Sequence, residues 1–514
     1  MIALSIAQIA EIVGGRLADI SPADAAGRYV TGTVEFDSRA VTPGGLFLAL
    51  PGARTDGHDF AHAAVAAGAA AVLAARPVGV PAIVVPPTRA ADAGAGVLEH
   101  DTDGSGAAVL AALAKLAAAV AAELVAGGLT IIGITGSSGK TSTKDLIAAV
   151  LRPLGEVVAP PGSFNNELGH PWTVLRATAD TDYLVLEMSA RHPGNIAALA
   201  AIAPPGIAVV LNVGTAHLGE FGSREAIAST KAELVQAVPA SGVAVLNVDD
   251  QAVAAMADKT AARVVRVGQS GNADIRADGV ELDDLARPRF TLSTATDSVE
   301  VQLAVHGEHQ VSNALCAAAV ALECGASLQQ VATALAAAAP ASRHRMEVNT
   351  RADGVTVIND AYNANPDSMR AGLQALAVMG QSDRRRVDDA AEGRGRGGAR
   401  QSKPRSWAVL GEMAELGEDS ISEHDRIGRL AVRLDISRLI VVGTGRPMSA
   451  MHHGAVMEGS WGSESTMVPD ADAALELLRA ELQPGDVVLV KASNAAGLSA
   501  LAERLLADTQ DDHR

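Results

Sequence analysis

The stretch LTIIGITGSSGKTSTKD, residues 129–145, holds an apolar run, then a loop of glycine and serine, then a polar segment. This order predicts a buried β-strand, a turn and an α-helix, which is the setting in which a loop binds phosphate. Backbone N–H groups of residues 136–141 would face the phosphate at the N-terminus of the helix. The amino group of Lys140 would contact the β- and γ-phosphates, and the hydroxyl of Thr141 would bind Mg²⁺. The predicted nucleotide-binding residues are Gly136, Ser137, Ser138, Gly139, Lys140, Thr141 and Ser142.

The loop departs from the general phosphate-loop signature, which has a glycine five residues before the Gly-Lys pair. Ile134 occupies that position, and the neighbouring glycines are Gly133 and Gly136. An ordinary Gly/Ser turn that caps a helix would account for the same residues without a ligand. Because Gly-Lys-Thr follows a strand directly, the pattern favours phosphate binding, and the departure at Ile134 requires an explanation from the rest of the chain.

Composition restricts the class of protein. The chain has 514 residues, 41 basic and 59 acidic side chains, and a formal net charge of −18. This balance argues against a nucleic-acid binder or a protein that binds anionic membranes, both of which need positive surface. The length suggests about three domains. Cys316 and Cys324 fit no metal motif and form no disulfide framework, so we expect reduced thiols in a cytoplasmic protein.

The sequence predicts neither a signal peptide nor a membrane-spanning helix. The N-terminal MIALSIAQIAEIVGG has no basic region and contains Glu11, which argues against a signal peptide. The apolar stretch of residues 107–128 is long enough to cross a membrane, but Lys115 and Glu123 interrupt it and its alanines are weakly apolar. We therefore expect a helix of a soluble protein, which we also expect to be a monomer.

The alternation of apolar runs and helical stretches predicts an α/β chain of three domains. We expect a small N-terminal α/β domain over residues 1–104, a connecting helix over 105–127, and a central phosphate-loop domain with a parallel sheet over 128–338. The C-terminal domain, residues 341–514, contains a second alternating set and is expected to be Rossmann-like. Within it, residues 381–406 are charged and rich in glycine, without apolar periodicity, and are predicted to form a disordered surface loop.

Three further residues could complete a metal-assisted phosphate site. Glu187 ends the apolar strand YLVLE, and a carboxylate at a strand end is placed to bind the metal of a nucleotide. His217 lies in a glycine-bounded loop after the strand IAVVLN, and a neutral imidazole could join a metal shell. Lys231 lies in a helix soon after His217. Taken alone, each residue also fits a role without catalytic function: Glu187 as a salt-bridge partner, His217 as a surface histidine and Lys231 as a solvated lysine.

The combination of motifs resembles the Mur ligase family. TGSSGKTST, LEMSA, NVGTAHLGEFGS, KAEL and HGEHQVSNALCAAAVA occur here in the order typical of that family. Its members are ATP-dependent, amide-forming enzymes that assemble peptidoglycan precursors. Their phosphate loop has the shorter form Gly-x-x-Gly-Lys-[Ser/Thr], which explains Ile134.

Other segments resemble the branch of the family that adds D-alanyl-D-alanine. These are VEFDSRAVTPGGLFLALPGARTDGHDF, VINDAYNANPDSMRAGL and VLGEMAELGEDSISEHDRIG, so the likeness spans nearly the whole chain. The segment SRHRMEV is similar to a Gly-Arg-x-Glu motif, with His344 in the place of the glycine. VKASNAAGL departs from the expected Lys-Gly-Ser-Arg, with Asn494 where the arginine would be.

The resemblance implies ligation of D-alanyl-D-alanine to a UDP-N-acetylmuramoyl-tripeptide, with ATP activating the peptide carboxylate as an acyl phosphate. It implies that Thr141 and Glu187 hold one Mg²⁺, that His217 binds a second, and that Lys231 carries a carbamate derived from CO₂. Lys140, His217, Lys231 and Arg345 would be catalytic. Asn313 would lie near adenine, Arg345 at the phosphates and Asp360 at the ribose. The implied substrate-binding residues are Ser38, Arg39, Asn165, Asn166, Asn363, Asn365 and Pro366.

Alternatives remain at this stage. Another amide ligase of the superfamily, diaminopimelate-adding or similar to folylpolyglutamate synthase, would share the ATP site. A regulatory phosphate-loop module would bind nucleotide and form no amide. The third residue of the peptide substrate could be diaminopimelate or lysine.

Overall fold

A computed structural model describes residues 1–87, 98–214, 218–392, 404–459 and 464–511 of the chain. The first unit starts with a short helix whose limits are fixed by local chemistry. Ser5 and Gln8 cap its N-terminus reciprocally, and Gly14 ends it in the left-handed conformation at φ 70°. The elements are β1 (Leu4–Ser5), α1 (Ile6–Val13), β2 (Arg16–Ala18), α2 (Pro22–Gly27), β3 (Tyr29–Val30), β4 (Val34–Glu35), β5 (Leu46–Leu48), α3 (Ala61–Ala66), β6 (Ala71–Ala74) and β7 (Ala82–Val84).

Five of these strands form a sheet in the order β2-β7-β6-β5-β4, and β1 pairs with β3 separately. The pairs between β4 and β7 are parallel, and β2 is antiparallel to β7. β6 is buried along its whole length, as expected for a central strand covered on both faces.

A long helix, α4 (Ser105–Ala126), follows this unit. By length and composition it is the one helix among the described ranges that could cross a membrane. It packs on α1 of the first unit and on helices of the next, and its buried residues include Leu113, Leu116 and Val120. This packing is typical of a core helix, as its composition predicts.

The central unit is built on a nine-stranded sheet. Its elements are β8 (Thr130–Thr135), α5 (Lys140–Leu151), β9 (Val157–Val158), α6 (Gly169–Val174), β10 (Tyr183–Glu187), α7 (Asn195–Ile202), β11 (Ile207–Val210), α8 (Leu218–Phe221), α9 (Arg224–Gln236), β12 (Val243–Asn247), α10 (Gln251–Ala254), β13 (Arg263–Gly268), β14 (Ile275–Leu282), β15 (Pro288–Ser293), β16 (Ser298–Gln302), α11 (Gln310–Glu323) and α12 (Leu328–Ala337).

The strand order is β16-β15-β14-β13-β12-β11-β8-β10-β9. From β9 to β14 the pairing is parallel, as predicted, and it brings the carboxyl ends of β8, β10 and β11 to one edge. At the other end the parallel sheet is extended by strands that the sequence did not predict, where β14, β15 and β16 pair antiparallel. These three strands alternate buried and exposed residues, because one face of this extension remains in solvent.

The third unit has a six-stranded sheet in the order β17-β18-β22-β19-β20-β21, parallel except for the edge strand β17. The predicted Rossmann-like alternation is therefore confirmed. The elements are β17 (Glu347–Thr350), β18 (Thr356–Asn359), α13 (Pro366–Glu392), β19 (Ser406–Leu410), α14 (Ser420–Arg433), β20 (Arg438–Val442), α15 (Arg446–Glu458), β21 (Ser465–Val468), α16 (Ala471–Glu481), β22 (Val487–Lys491) and α17 (Leu498–Asp511).

The predicted loop over 381–406 is wrong at both ends. Helix α13 continues to Glu392, and Ser406 begins β19. Residues 381–392 lack glycine and proline and are rich in arginine, alanine and acidic residues, which a solvated helix tolerates without an apolar stripe. Residues 393–403 lie outside the described ranges.

Candidate active site

A cavity of about 1470 Å³ lies between the central and C-terminal units. The central unit contributes the loop after β8 and the ends of β10 and β11, and the C-terminal unit contributes the turn before β17 and the segments after β18, β19 and β22. The site therefore forms where the carboxyl ends of parallel strands meet, as expected for an α/β sheet.

The loop between β8 and α5 is closely packed. Gly139 has φ 82°, and a Cβ atom there would lie 2.7 Å from Oδ1 of Asn313. Glycine is required both by the left-handed backbone and by the lack of space. Asn313 thus lies against the phosphate loop and lines the cavity, and its predicted role near adenine stays a prediction.

Two backbone N–H groups of the loop have a partner that the sequence analysis missed. Ser137 and Ser138 both donate to Oδ1 of Asn212, each over 3.0 Å. Ser137 also accepts the N–H of Gly214 at its hydroxyl, over 2.9 Å. The predicted contact of these two N–H groups with phosphate stays a prediction, and in the structure Asn212 is their acceptor. The groups at the start of α5 have no intrahelical acceptor and remain suited to an anion.

Lys140 starts α5, and its Nζ donates to the carbonyl of Gly136 over 2.8 Å. Burial lowers the pKa of Lys140, the carboxylate of Glu187 opposes that effect, and the charge of Arg345 adds to it. The ammonium thus lies in a place of reduced solvation, where its attraction for phosphate is strengthened.

Glu187 accepts hydrogen bonds at both carboxylate oxygens and is 1% exposed. Thr141 donates to Oε2 over 3.0 Å, while Ser163 and Asn165 donate to Oε1 over 2.9 and 2.7 Å. The structure brings the predicted pair Thr141 and Glu187 together. It also adds Ser163, for which the only signal in the sequence is its place beside the asparagine pair.

The chemistry of these donors fits Mg²⁺. A buried carboxylate next to a threonine hydroxyl offers hard oxygen ligands, and Mg²⁺ is commonly held by one or two such groups together with substrate phosphates and water. Within the described part of the chain no cluster of three or more His, Cys, Asp and Glu side chains forms a metal-binding group. His217, the predicted ligand of a second ion, lies outside the described residues.

Lys231 is buried on α9. Burial lowers its pKa well below the ordinary value, and the charge of Lys140 lowers it further. Both effects favour the neutral amine, which is the form that reacts with CO₂.

The C-terminal unit places Arg345 at the phosphate loop. Its Nη2 lies 3.4 Å from Oγ1 of Thr141, and its guanidinium carbon lies 4.3 Å from the centre of the Tyr362 ring. A cation above an aromatic face is attracted to it, so Tyr362 stabilises this orientation. A hydrogen-bonded contact thus links the two domains at the predicted site.

Asp360 is paired with a residue that the sequence analysis missed. Lys491, at the end of β22, donates to Oδ2 of Asp360 over 2.6 Å and to the carbonyl of Asn363 over 3.0 Å. Burial lowers the pKa of Lys491, and Asp360 opposes the effect. Lys491 is a charged residue at the end of a buried strand, as Glu187 is at the end of β10, and this pattern in the sequence could have identified it as a site residue. Asn494, from the loop that departs from the family's Lys-Gly-Ser-Arg pattern, lines the cavity as well.

The remaining predicted substrate residues divide into two groups. Asn165, Asn166, Asn363 and Asn365 line the cavity, whereas Pro366 is buried at the start of α13 beside it. Ser38 and Arg39 do not line it: they lie in a turn of the first unit, where Arg39 is paired with Asp37 at 2.7 Å. Any contact of these two residues with substrate therefore requires a molecule that extends out of the cavity.

Comparison with known proteins gives a consistent result along the chain. The model of the Mur ligase family catalytic domain matches residues 32–120, the Mur ligase middle domain matches 134–321, and the Mur ligase glutamate ligase domain matches 344–387 and 396–494.

Curated relatives match over nearly the full length. The UDP-N-acetylmuramoyl-tripeptide–D-alanyl-D-alanine ligase of Mycobacterium tuberculosis (strain ATCC 25618 / H37Rv) is 74% identical, over 99% of this chain and 98% of that protein. The ligase of the same name from Escherichia coli (strain K12) is 33% identical, over 98% of this chain and 99% of that protein.

Solved structures agree with the fold. MurF from Acinetobacter baumannii superposes with a TM-score of 0.78 at 28% identity, over 98% of this chain and 99% of that chain. The MurF ligase from Thermotoga maritima in complex with ADP superposes with a TM-score of 0.73 at 26% identity, over 94% of this chain and 99% of that chain.

Proposed function

The chain belongs to the Mur ligase family, and from this premise we propose that it joins D-alanyl-D-alanine to a UDP-N-acetylmuramoyl-tripeptide with hydrolysis of ATP to ADP. The product is the UDP-muramoyl-pentapeptide precursor of peptidoglycan. The chain is an ATP-dependent, ADP-forming ligase of cell-wall synthesis. The observation that carries the chemistry is the contact of Arg345 with Thr141, since it unites phosphate-binding groups of two domains at the edge of the cavity.

The reaction needs a leaving group, because a carboxylate is a poor electrophile. Transfer of the γ-phosphoryl group to the terminal carboxylate of the tripeptide gives an acyl phosphate and ADP. The amine of D-alanyl-D-alanine attacks its carbonyl carbon, and the tetrahedral intermediate releases phosphate and leaves an amide. Most of the catalysis required is positioning and stabilisation of charge.

Different residues are proposed to bind the phosphates, the metal ions and CO₂. Lys140 and Arg345 attract the phosphates, which offsets the repulsion between them and the approaching carboxylate. Thr141 and Glu187 are proposed to hold Mg²⁺, which when bound neutralises phosphate charge. His217 is proposed as a ligand of a second Mg²⁺. Lys231, whose burial favours the neutral amine, is proposed to take up CO₂ and to present the resulting carbamate oxygens to a cation.

The substrates are assigned to the two sides of the cavity. Asn313 is proposed for adenine and Asp360 for the ribose hydroxyls. Asn363, Asn365 and Pro366 would lie toward the peptide ends. Asn165 and Asn166 would contact the sugar nucleotide, whose uridine end would extend to Ser38 and Arg39.

We further propose the domain limits 1–104, 105–127, 128–338 and 341–514, a monomeric enzyme and a cytoplasmic location without membrane insertion. No nucleic-acid partner is proposed, because the net charge of −18 opposes it.

A substrate panel tests this function. Release of phosphate is measured with ATP and UDP-muramoyl-tripeptides that end in diaminopimelate or lysine, with and without D-alanyl-D-alanine. The products are identified by mass spectrometry. We expect a pentapeptide product that depends on the dipeptide. Ligation of a free amino acid alone would favour another ligase of the superfamily, and nucleotide binding without any amide product would favour a regulatory module.

A further inference from the structure

Arg345 sits between two residues with unusual backbone geometry. His344 has φ 58° and Met346 has φ 49°, so both are in the left-handed region. Residues with a Cβ atom adopt that region at an energetic cost, and such strain persists only where surrounding contacts hold it. The turn that presents Arg345 to the phosphate loop is therefore strained on both sides.

Met346 is held from within the domain. Its side chain is 4% exposed in the core, and its backbone N–H donates to Oδ1 of Asp360 over 3.1 Å. Asp360 is itself fixed by Lys491. The C-terminal side of the turn is thus tied to the ends of β18 and β22.

His344 is held from the last helix of the chain. Its Nε2 lies 2.9 Å from Oε1 of Glu503 on α17, and its backbone N–H donates to Oε2 of Glu347 over 3.3 Å. Glu503 also accepts from Arg343 over 2.6 Å, but the Arg343 side chain is 77% exposed whereas that of His344 is 18% exposed. The contact with His344 is therefore the better ordered of the two.

We propose that Glu503 is a positioning residue for ATP binding: through His344 it fixes the left-handed turn that presents Arg345 to the phosphates. The inference rests on the proposed role of Arg345. Glu503 and His344 do not line the cavity, so their effect on the reaction passes through the backbone of the turn.

The chain offers a sharp test, because glycine adopts φ near 58° without steric cost. In His344→Gly the turn no longer needs the contact with Glu503. Glu503→Gln should raise the KM for ATP and the Kd of a non-hydrolysable ATP analogue together by about three-fold, the size expected for a partly exposed pair. The same change in the His344→Gly background should add nothing.

Controls separate the possible causes. Arg343→Ala removes the exposed partner of Glu503 and should bind the analogue like the unchanged protein. The KM for D-alanyl-D-alanine and the melting temperature should stay constant in Glu503→Gln, which a general loss of structure would not allow.

Two results would overturn the proposal: unchanged ATP binding in Glu503→Gln, or an equal loss in both backgrounds at position 344. Arg345→Ala distinguishes a wrong positioning role of Glu503 from a wrong proposed role of Arg345. If Arg345→Ala binds and turns over ATP normally, the role of Arg345 itself is wrong. If it weakens ATP binding while Glu503→Gln does not, only the positioning role of Glu503 is wrong.

Discussion

At the scale of single residues, Glu187 is the acceptor on which the phosphate site depends. Its two oxygens accept from Thr141, Ser163 and Asn165, so its orientation is fixed before any ligand arrives. Glu187→Gln keeps the shape and removes the charge proposed to hold Mg²⁺. We expect turnover to fall about a hundredfold, the loss typical of removing one such electrostatic group. Phosphate release measured over a range of Mg²⁺ concentrations checks this.

Ser163→Ala is the matched control for that variant. It deletes one of the three donors but leaves the charge of Glu187, so we expect most of the activity to remain. Full activity in Glu187→Gln would mean that the carboxylate is only a structural acceptor.

Lys231 offers a test of the proposed carbamate. Lys231→Ala removes the amine that would carry the carbamate and leaves space in this buried place for a small carboxylate. We expect most activity to be lost and a part to return when a short carboxylate such as formate or acetate is added. The carboxylates should have no such effect on Glu187→Gln. A Lys231→Ala enzyme with unchanged activity would exclude the carbamate role.

Single-residue patterns identified the site only in part. Lys140, Thr141 and Glu187 were predictable because each follows a strand end or a glycine loop, which have known geometry. Ser163, Asn212 and Lys491 were missed, because their roles arise from contacts between segments distant in sequence. Lys491 ends a strand as Glu187 does, so the same rule applied twice would have found it.

At the scale of elements, α13 begins with a reciprocal cap. Ser368 donates its backbone N–H to Oδ1 of Asn365 over 2.9 Å, and Asn365 donates its own to the Ser368 hydroxyl over 3.1 Å. Asn365→Ala should therefore lower the free energy of unfolding by about 1 kcal/mol. Asn365→Asp keeps the acceptor and should keep the stability, while raising the KM for D-alanyl-D-alanine if the residue also meets substrate. Urea unfolding of the three proteins measures the first effect, and an unchanged stability in Asn365→Ala would contradict the cap.

Helix α6 contains His170, a fully buried imidazole behind β10. Burial lowers its pKa from 6.5 to about 4. Above about pH 6.5 neither the folded nor the unfolded chain is protonated here, and the stability is complete. Between pH 6.5 and pH 4 only the unfolded chain binds the proton, so stability falls as the pH falls.

The expected loss at His170 is about 1.4 kcal/mol per pH unit and about 3 kcal/mol in total. His170→Gln cannot titrate and should flatten the pH dependence of the free energy of unfolding, measured by urea at pH 7 and pH 5. Burial also lowers the pKa of His309 to about 4, so the His170→Gln variant should retain the part of the pH dependence that His309 contributes. An equal slope in the variant and the unchanged protein would mean that His170 is not the titrating group.

The elements themselves were predictable to different degrees. Continuous apolar runs identified β8, β10, β11 and β12, because strands buried on both faces have no polar side. The extension β14 to β16 was missed because alternating polar residues resemble a surface loop. The second half of α13 was missed because helix formation there depends on propensity and not on an apolar face.

At the scale of the whole molecule, the linker between the central and C-terminal domains is anchored to the phosphate-loop helix. Lys144 of α5 is buried and donates to the Ser342 hydroxyl over 3.2 Å, and Asp145 accepts the backbone N–H of Ser342 over 3.0 Å. The linker is therefore fixed just beyond Pro340. A rotation of the C-terminal domain would have to take place between Ser342, which is held to α5, and His344, which is held to α17.

Closure of the domains is the last prediction. Lys140 and Thr141 belong to one domain and Arg345 and Asp360 to another, so the ATP site is complete only when the two approach. The ion pair between them of Arg191 with Glu415, at 3.1 Å, is exposed and weak in water. Domains joined by such contacts are expected to move relative to each other.

We expect small-angle scattering to show a smaller radius of gyration with an ATP analogue and UDP-muramoyl-tripeptide together than without ligands. Arg345→Ala should compact less at the same saturation, because it lacks the group that links the phosphates to the C-terminal domain. Arg39→Ala, which changes a residue that does not line the cavity, should still compact at saturating UDP-muramoyl-tripeptide. An identical radius with and without both ligands would mean that the site is complete in the free enzyme, and the anchored linker would then serve to hold the domains together and not to guide their motion.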